Sequence, residues 1–415
     1  MNRNNWYKVD NVAKVFLATY NKRDTRTLRV SATLYEPVEQ NILQQAVERA
    51  IEVRPQFQVR IRRGLFWHYM EDSDIRPVVE EERRRVCPSL YQPGQAMLHY
   101  AVTYFGCRIN LDLFHAISDG TGALEFLNII VHGYLTLKYP GKYNDVNIHS
   151  GASLDDLNED SFRKFYRGIN LQGLSMKKAY HPTGLLLPYD QLQFFEVQMP
   201  VSDILPLAKE AGASLTSYIG ARIMLAIKSD MPPLREKTPV TISMPVNLRN
   251  YYPSNTSRNF FNNINVSHIF EEDISLTELS AEFGEQMQMQ LSEENIKKQM
   301  DNYETMESIA PVRATPLFIK QYVVKSGTKS SDRAVSAVLS NLGVQKPPEQ
   351  LVPMIKNYSA FCSSMNLFVV MTSYNGTLTL GITSPYSNTR VVKNLVREMS
   401  SDGISVTAYA TEVIR

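Results

Sequence analysis

The sequence predicts an α/β fold of two lobes, and three observations predict it. Strand-like and helix-like segments alternate in both halves. A polar, irregular stretch over residues 141–188 separates the two series. The 415 residues, 43% of them apolar, are enough to bury the core of two or three domains or lobes.

The first series opens with "TLRVSATLYE", a strand, followed by "NILQQAVERAIEV", which puts Ile42, Leu43, Ala46, Val47, Ala50 and Ile51 on one helical face before Pro55 stops it. "QFQVRIRRGLFWHYME" reads as a hairpin turning near Gly64, and "AMLHYAVTYF" alternates with period two. "CRINLDLFH" alternates again, with Cys107, Ile109, Leu111 and Leu113 on one face, and delivers His115 at its end. A helix over residues 121–139 carries Leu124, Leu127, Ile130, Val131, Tyr134 and Leu135 at helical spacing and ends before Pro140.

The second series runs through strand "QLQFFEVQM", helix "VSDILPLAKEAG" and a helix within "SLTSYIGARIMLAIKS". Strands "KTPVTISMPVNLR" and "NFFNNINVSHIF" and two amphipathic helices over 276–307 come next. "SAVLSNLG", the Asn375-Gly376 hairpin "LFVVMTSYNGTLTLGIT" and "ISVTAYATEVI" are strands, the last after a helix over 389–399. The lobes are drawn as residues 1–175 and 176–415.

Composition narrows the function. With 44 Lys and Arg against 42 Asp and Glu, the net charge is +2, and no long block of one sign offers a nucleic-acid or membrane-surface patch. "RRRV" at 83–86 follows "EEE" and reads as a solvated turn or strand edge. Cys87, Cys107 and Cys362 form neither a CxxC pair nor a disulfide framework, which points to a reducing cytoplasm and to no metal site. The polar N-terminus lacks a signal-peptide core. The greasiest stretch, 124–137, is broken by Asn128, His132 and Gly133 and is too short to span a bilayer, so no membrane insertion is expected.

"LFHAISDGTG" at 113–122 is where chemistry concentrates. A lone histidine at a strand end is commonly a structural residue, and H-x-x-x-D-G has only three fixed positions. The context adds to it: strand, tight turn and helix hold His115 on rigid elements while letting it face a cleft, which suits a general base. "SMKK" spells S-x-x-K without the partners of a β-lactamase-like site. No G-x-S-x-G elbow or Walker loop occurs, and "GTG" is too short for a dinucleotide loop. His99 and His132 read as packing residues. The Met-rich "EQMQMQLSEENIKKQM" reads as an amphipathic helix face or a flap over a greasy tunnel.

"FHAISDG" resembles the HHxxxDG signature shared by chloramphenicol acetyltransferase, nonribosomal peptide condensation domains, wax ester synthases and alcohol acetyltransferases, and the chain is most similar to the alcohol acetyltransferase-like branch. Phe114 replaces the first histidine. "SMPVNLRNYYPSNTSRNFFNNINV", "ILPLAKEAGASLTSYIGARIMLAI" and "VLSNLG" extend the resemblance along nearly the whole chain. It implies two chloramphenicol-acetyltransferase-like lobes, each a mixed sheet with flanking helices, and an active-site tunnel between them. It implies His115 as the general base of acyl transfer, expected to be acetyl transfer, from an acyl-CoA to an alcohol or amine acceptor, without a covalent acyl-enzyme.

Asp119 then either orients the imidazole, as in a catalytic triad, or pairs with Arg249 to brace the site. Gly120 permits the tight turn after the aspartate. Ser340 and Asn341, and with less support Asn263, are candidates for the oxyanion site or tunnel wall, or else simply end their strands. No permanently bound cofactor and no metal are implied; acyl-CoA is a co-substrate. Two other readings stay open: a condensation-type domain served by an acyl carrier protein, and a non-catalytic binding module of the same fold.

Overall fold

The computed structural model describes residues 6–83, 85–143, 153–166, 177–188, 191–308 and 314–411. The first series comprises β1 (Trp6–Lys8), α1 (Asn11–Thr19), β2 (Thr27–Leu34), α2 (Gln40–Val53), the hairpin of β3 (Val59–Arg63) and β4 (His68–Asp72), β5 (Glu80–Glu81), β6 (Tyr100–Phe105), β7 (Arg108–Phe114) and α3 (Gly120–Lys138). After α4 (Leu154–Asn158) and α5 (Ser161–Phe165) come β8 (Gln193–Pro200), α6 (Val201–Glu210), α7 (Leu215–Lys228), β9 (Val240–Asn247), β10 (Phe261–His268), α8 (Leu276–Gln290), α9 (Glu293–Ser308) and α10 (Leu317–Asp332). The chain closes with β11 (Ala337–Val344), β12 (Ile355–Cys362), β13 (Leu367–Tyr374), β14 (Thr377–Ser384), α11 (Arg390–Ser401) and β15 (Thr407–Ala410).

Two mixed sheets organise the lobes. One runs β12-β2-β7-β6-β5, the other β10-β9-β11-β13-β14-β8-β15, with a small β1-β4-β3 sheet beside the first. Antiparallel ladders dominate, but β11 is parallel to both β9 and β13, and β5 to β6. Each large sheet has its own core. The first buries Leu43, Ala46, Val47 and Ala50 of α2 against α3, the second Ile219, Ile223 and Ile227 of α7.

The boundary drawn between residues 175 and 176 lies outside the described residues, as do the first two residues of the S-x-x-K at 175–178. The structure adds an exchange that local periodicity does not encode: β12, from the second half of the chain, pairs antiparallel with β2 and completes the first sheet. There β14 passes so close that a Cβ on Gly381 would lie 1.8 Å from the carbonyl oxygen of Ala360.

The strand leading to the motif differs from the alternation expected of it. Both faces of β7 are buried, because the polar face is satisfied internally. Arg29 Nε and Nη2 donate to the two Asp112 carboxylate oxygens at 2.9 and 2.6 Å, and Ser31 donates to Asn110 at 2.8 Å. Burial pushes the Asp112 carboxyl up against the pull of Arg29. A strand pinned on both faces is a rigid support for the residue that follows it.

Candidate active site at the lobe junction

β7 ends at Phe114, and His115 follows with its main-chain N–H donating to the carbonyl of Arg26 at 2.8 Å. Arg26 itself has φ +50°, a strained conformation that non-glycine residues keep where the surroundings fix it. Asp119 caps α3: its Oδ1 accepts from Gly122 N at 3.1 Å, where the positive end of the helix dipole favours a carboxylate.

The second lobe reaches across to this turn through residues 247–260. Arg249 Nη1 donates to Asp119 Oδ2 at 2.8 Å, and Phe260 N donates to the same oxygen at 3.0 Å. The other donors of Arg249 go to Asn247 Oδ1 and to the carbonyls of Thr256 and Arg258. All five N–H groups of the guanidinium are thereby used, so Arg249 has none left for a ligand. No hydrogen bond joins Asp119 to His115 among the described residues, and the ion pair ties the two lobes together beside the histidine.

The imidazole of His115 lies 4.4 Å from the Phe16 ring and 5.8 Å from Phe261, between centroids. Its Nδ1 is 3.1 Å from Asn259 Oδ1, whereas no hydrogen bond engages Nε2 among the described residues. His99 shows the contrast. There Nε2 accepts from Ile61 N at 2.8 Å and Nδ1 donates to Leu90 O at 2.9 Å, and burial brings the pKa down to about 4. His99 is occupied on both nitrogens; His115 keeps one for solvent or substrate. Burial also lowers the His115 pKa, with Arg26 adding to that effect, while Asp119, the residue's own carbonyl and Asn259 pull upward. The ring is therefore neutral at pH 7.

His115 opens onto a cavity of about 2020 Å³ between the lobes, which also touches Asp119, Gly120, Ser340, Asn341 and Asn263. Arg249 is outside that lining and stands behind Asp119. Asn341 donates to Thr216 Oγ1 at 2.9 Å and accepts from Gly343 N at 2.8 Å. Ser340 is half-buried and Asn263 exposed. The Met-rich segment covers the edge strand β10 through its glutamines: Gln286 donates to Ser267 O and accepts from Ser267 N, and Gln290 does the same at Asn265. Residues i and i+4 of α8 thus match i and i−2 of the strand, which blocks an open edge. Among the described residues no three His, Cys, Asp or Glu come together as a metal site, and no helix is long and apolar enough to cross a membrane.

Gly120 departs from the turn role expected of it. Its φ is not left-handed, and a Cβ there would meet the Leu342 side chain of β11 at 2.7 Å. The stricter position is Gly122, where a Cβ would lie 2.2 Å from Ser118 Oγ and 2.6 Å from the carbonyl oxygen of Ser257. Gly122→Ala should cost about 1–3 kcal/mol through overpacking, and Gly120→Ala less because Leu342 can turn aside. Urea midpoints of the two variants check this order.

Residues that sequence reasoning did not single out complete the site: Phe16, Arg26, Asn259 and Asp10. Asp10 carried a usable signal, an aspartate directly before the apolar-periodic "NVAKVFL", and it does cap α1 by accepting from Ala13 N at 2.7 Å. Nothing local marks Asn259 as a neighbour of His115.

Solved structures share this architecture. F. sporotrichioides TRI101, complexed with coenzyme A and T-2, superposes with a TM-score of 0.61 at 10% identity over 96% of this chain and 99% of that one. TRI3 trichothecene 15-O-acetyltransferase from Fusarium sporotrichioides gives 0.61 at 11% identity over 95% and 94%. The epimerization domain from the third module of tyrocidine synthetase B gives 0.62 at 11% identity over 96% and 95%. No family model matches the chain, and no curated protein does. At these identities the likeness is one of fold.

Proposed function

Starting from a chain with the two-lobed fold of CoA-binding acyltransferases and condensation domains, we propose that it is an acyltransferase with His115 as general base. The observation that carries this reading is an imidazole whose Nε2 has no hydrogen-bond partner among the described residues, opening onto a cavity walled by both lobes. An acceptor hydroxyl or amine gives its proton to Nε2 as its oxygen or nitrogen bonds to the thioester carbonyl carbon. The tetrahedral intermediate collapses with cleavage of the C–S bond, and the proton passes to the departing thiolate. The acceptor attacks directly, so no covalent acyl-enzyme forms.

The oxyanion needs a donor, and Ser340, Asn341 and Asn263 line the same cavity, Asn341 already giving one amide hydrogen to Thr216 Oγ1. Asp119 and Arg249 fix the turn that carries the base. The volume exceeds the roughly 300–1,000 Å³ of a drug-sized site, which leaves room for a pantetheine arm and an acceptor together. Val12, Phe16, Phe261, Val324, Leu342 and Phe368 make much of its wall apolar, in keeping with an apolar acyl chain or acceptor. Three free cysteines fit a reducing cytoplasm.

The donor is proposed to be acyl-CoA, acetyl-CoA first among the candidates, because a relative of this fold carries coenzyme A. Likeness to a peptide-synthetase domain keeps a carrier-protein thioester as the second reading. Thermal unfolding with free CoA separates them. A saturable rise in Tm, about 2.7 kcal/mol of stabilisation at a hundred times Kd, is expected for a CoA enzyme. No shift with millimolar CoA, together with turnover of a carrier-bound thioester, would move the assignment to the condensation type.

A further inference from the structure

His115 is held by a residue that is itself held. The Asn259 amide has only one workable orientation, because its Nδ2 faces two acceptors, the main-chain carbonyl oxygen of His115 at 2.9 Å and Oδ2 of the ionised Asp10 carboxylate at 3.3 Å. Its Oδ1 is then the atom 3.1 Å from His115 Nδ1. An amide oxygen cannot donate, so Nδ1 carries the ring proton and the lone pair is left on Nε2. Asp10 in turn is fixed by its second task, since Oδ1 accepts from Ala13 N and caps α1. Both residues are buried.

We infer that Asn259, locked by Asp10, is the positioning residue that, together with the carbonyl of His115 itself, sets the His115 tautomer and leaves Nε2 as the basic atom. The catalytic consequence rests on the acyltransferase reading; the tautomer does not. Asp119 does not serve instead: among the described residues no hydrogen bond joins it to the ring, and its oxygens accept from Gly122 N, Phe260 N and Arg249. The arrangement works like the aspartate of a Ser-His-Asp triad, with a neutral amide between carboxylate and ring. Positive charge forming on the ring is met by the Asn259 oxygen dipole, polarised by Asp10 behind it.

The charged groups facing the ring are Asp119, paired to Arg249, and Arg26; around Asp10 stand Arg258 and Asp160. Burial raises the Asp10 pKa to about 6, with Asp160 pushing the same way, while Ala13 N, Arg258 and Asn259 pull it down. Asp10 is therefore ionised above pH 6, where its charge supports the imidazolium. As the pH falls through 6 that support is lost.

The test reads the tautomer directly, with no substrate. Full-length protein carrying ring-¹⁵N histidine gives long-range ¹⁵N–¹H spectra, in which the His115→Gln variant identifies the His115 signals among the seven histidines. At pH 7.5 the wild type should show a protonated Nδ1 and a bare Nε2. Asn259→Ala should leave the carbonyl of His115 itself as the remaining acceptor for the ring proton and raise the share of the Nε2-protonated tautomer. Asn259→Asp should keep the proton on Nδ1 and raise the ring's titration midpoint, and Asp10→Asn, which preserves a helix cap, should lower it.

Once a substrate is in hand, Asn259→Ala should lower kcat at least tenfold with KM little changed. The corresponding wrong-tautomer change in a Ser-His-Asp triad costs about 10⁴-fold. A wild-type ring protonated on Nε2, or midpoints unmoved in the two isosteric variants, overturns the inference. If the spectra come out as expected but no acyl transfer is found with any donor, the inference about the tautomer stands and the acyltransferase reading falls alone.

Discussion

Arg249→Ala should destabilise the protein by about 3–5 kcal/mol, the cost of stripping one partner from a buried ion pair. The Arg249 and Asp119 side chains are 13% and 6% exposed, so water restores little of what is removed. Five hydrogen bonds are lost at once, four of them within the segment that reaches over from the second lobe. Asp119 keeps Gly122 N and Phe260 N, which places the expected value near the lower end of that range. Arg249→Lys should rescue little, because an ammonium replaces the charge but not the planar fork that spans Asp119 and the Thr256 and Arg258 carbonyls. Urea unfolding checks this as a shift in midpoint at constant slope. If Arg249→Ala moves the midpoint by the equivalent of less than about 0.5 kcal/mol, the usual surface-substitution range, the pair does not brace the junction.

His115→Ala has a different profile: acceptor-dependent thiol release falls by about 100-fold or more, while stability falls less than in Arg249→Ala. The ring is only half-buried and its loss leaves one amide oxygen, Asn259 Oδ1, without its donor, a cost of about 1–3 kcal/mol at most. The pH dependence has a definite sign. Burial holds the imidazole below its ordinary value of 6.5, so the basic form persists at neutral pH and is lost only on further acidification. The acid limb of kcat/KM should therefore have its midpoint below 6.5, and a midpoint above 6.5 would assign the limb to another group. A variant that is inactive yet more stable than Arg249→Ala separates the base from its brace.

Much of this was legible in the sequence because it is local. Apolar period two and period 3.6 located β7 and α3, and the Gly-containing turn between them put His115 at a junction. The same locality explains what was missed. Alternation in "CRINLDLFH" suggested one buried face, since Asn110 and Asp112 look like solvent-facing residues until Ser31 and Arg29 of β2 are placed opposite them. Exchange of β12 into the first sheet leaves no mark on the periodicity of "IKNYSAFC", which reads as a strand wherever it pairs.

At the site, sequence resemblance pointed to Arg249 across 130 residues, but only the fold brings Asn259 to the histidine. It lies four residues before Asn263 in an asparagine-rich stretch, and nothing in "RNFFNN" tells which amide meets the histidine. Asp10 was readable as a helix cap, yet its second contact spans 249 residues. Gly120 was read by turn chemistry and Gly122 only as part of a "GTG" too short for a dinucleotide loop, whereas their constraint is the close approach of Leu342 at the first and of Ser118 and Ser257 at the second.

The most direct measurement is thiol release from a panel of acyl-CoA donors mixed with pooled alcohols and amines, with wild-type and His115→Ala protein run side by side. The account predicts saturable release that requires an acceptor, favours some donors, and falls about 100-fold or more in the variant, the scale of a lost general base. Release that survives His115→Ala, or none above background with any donor, would contradict it.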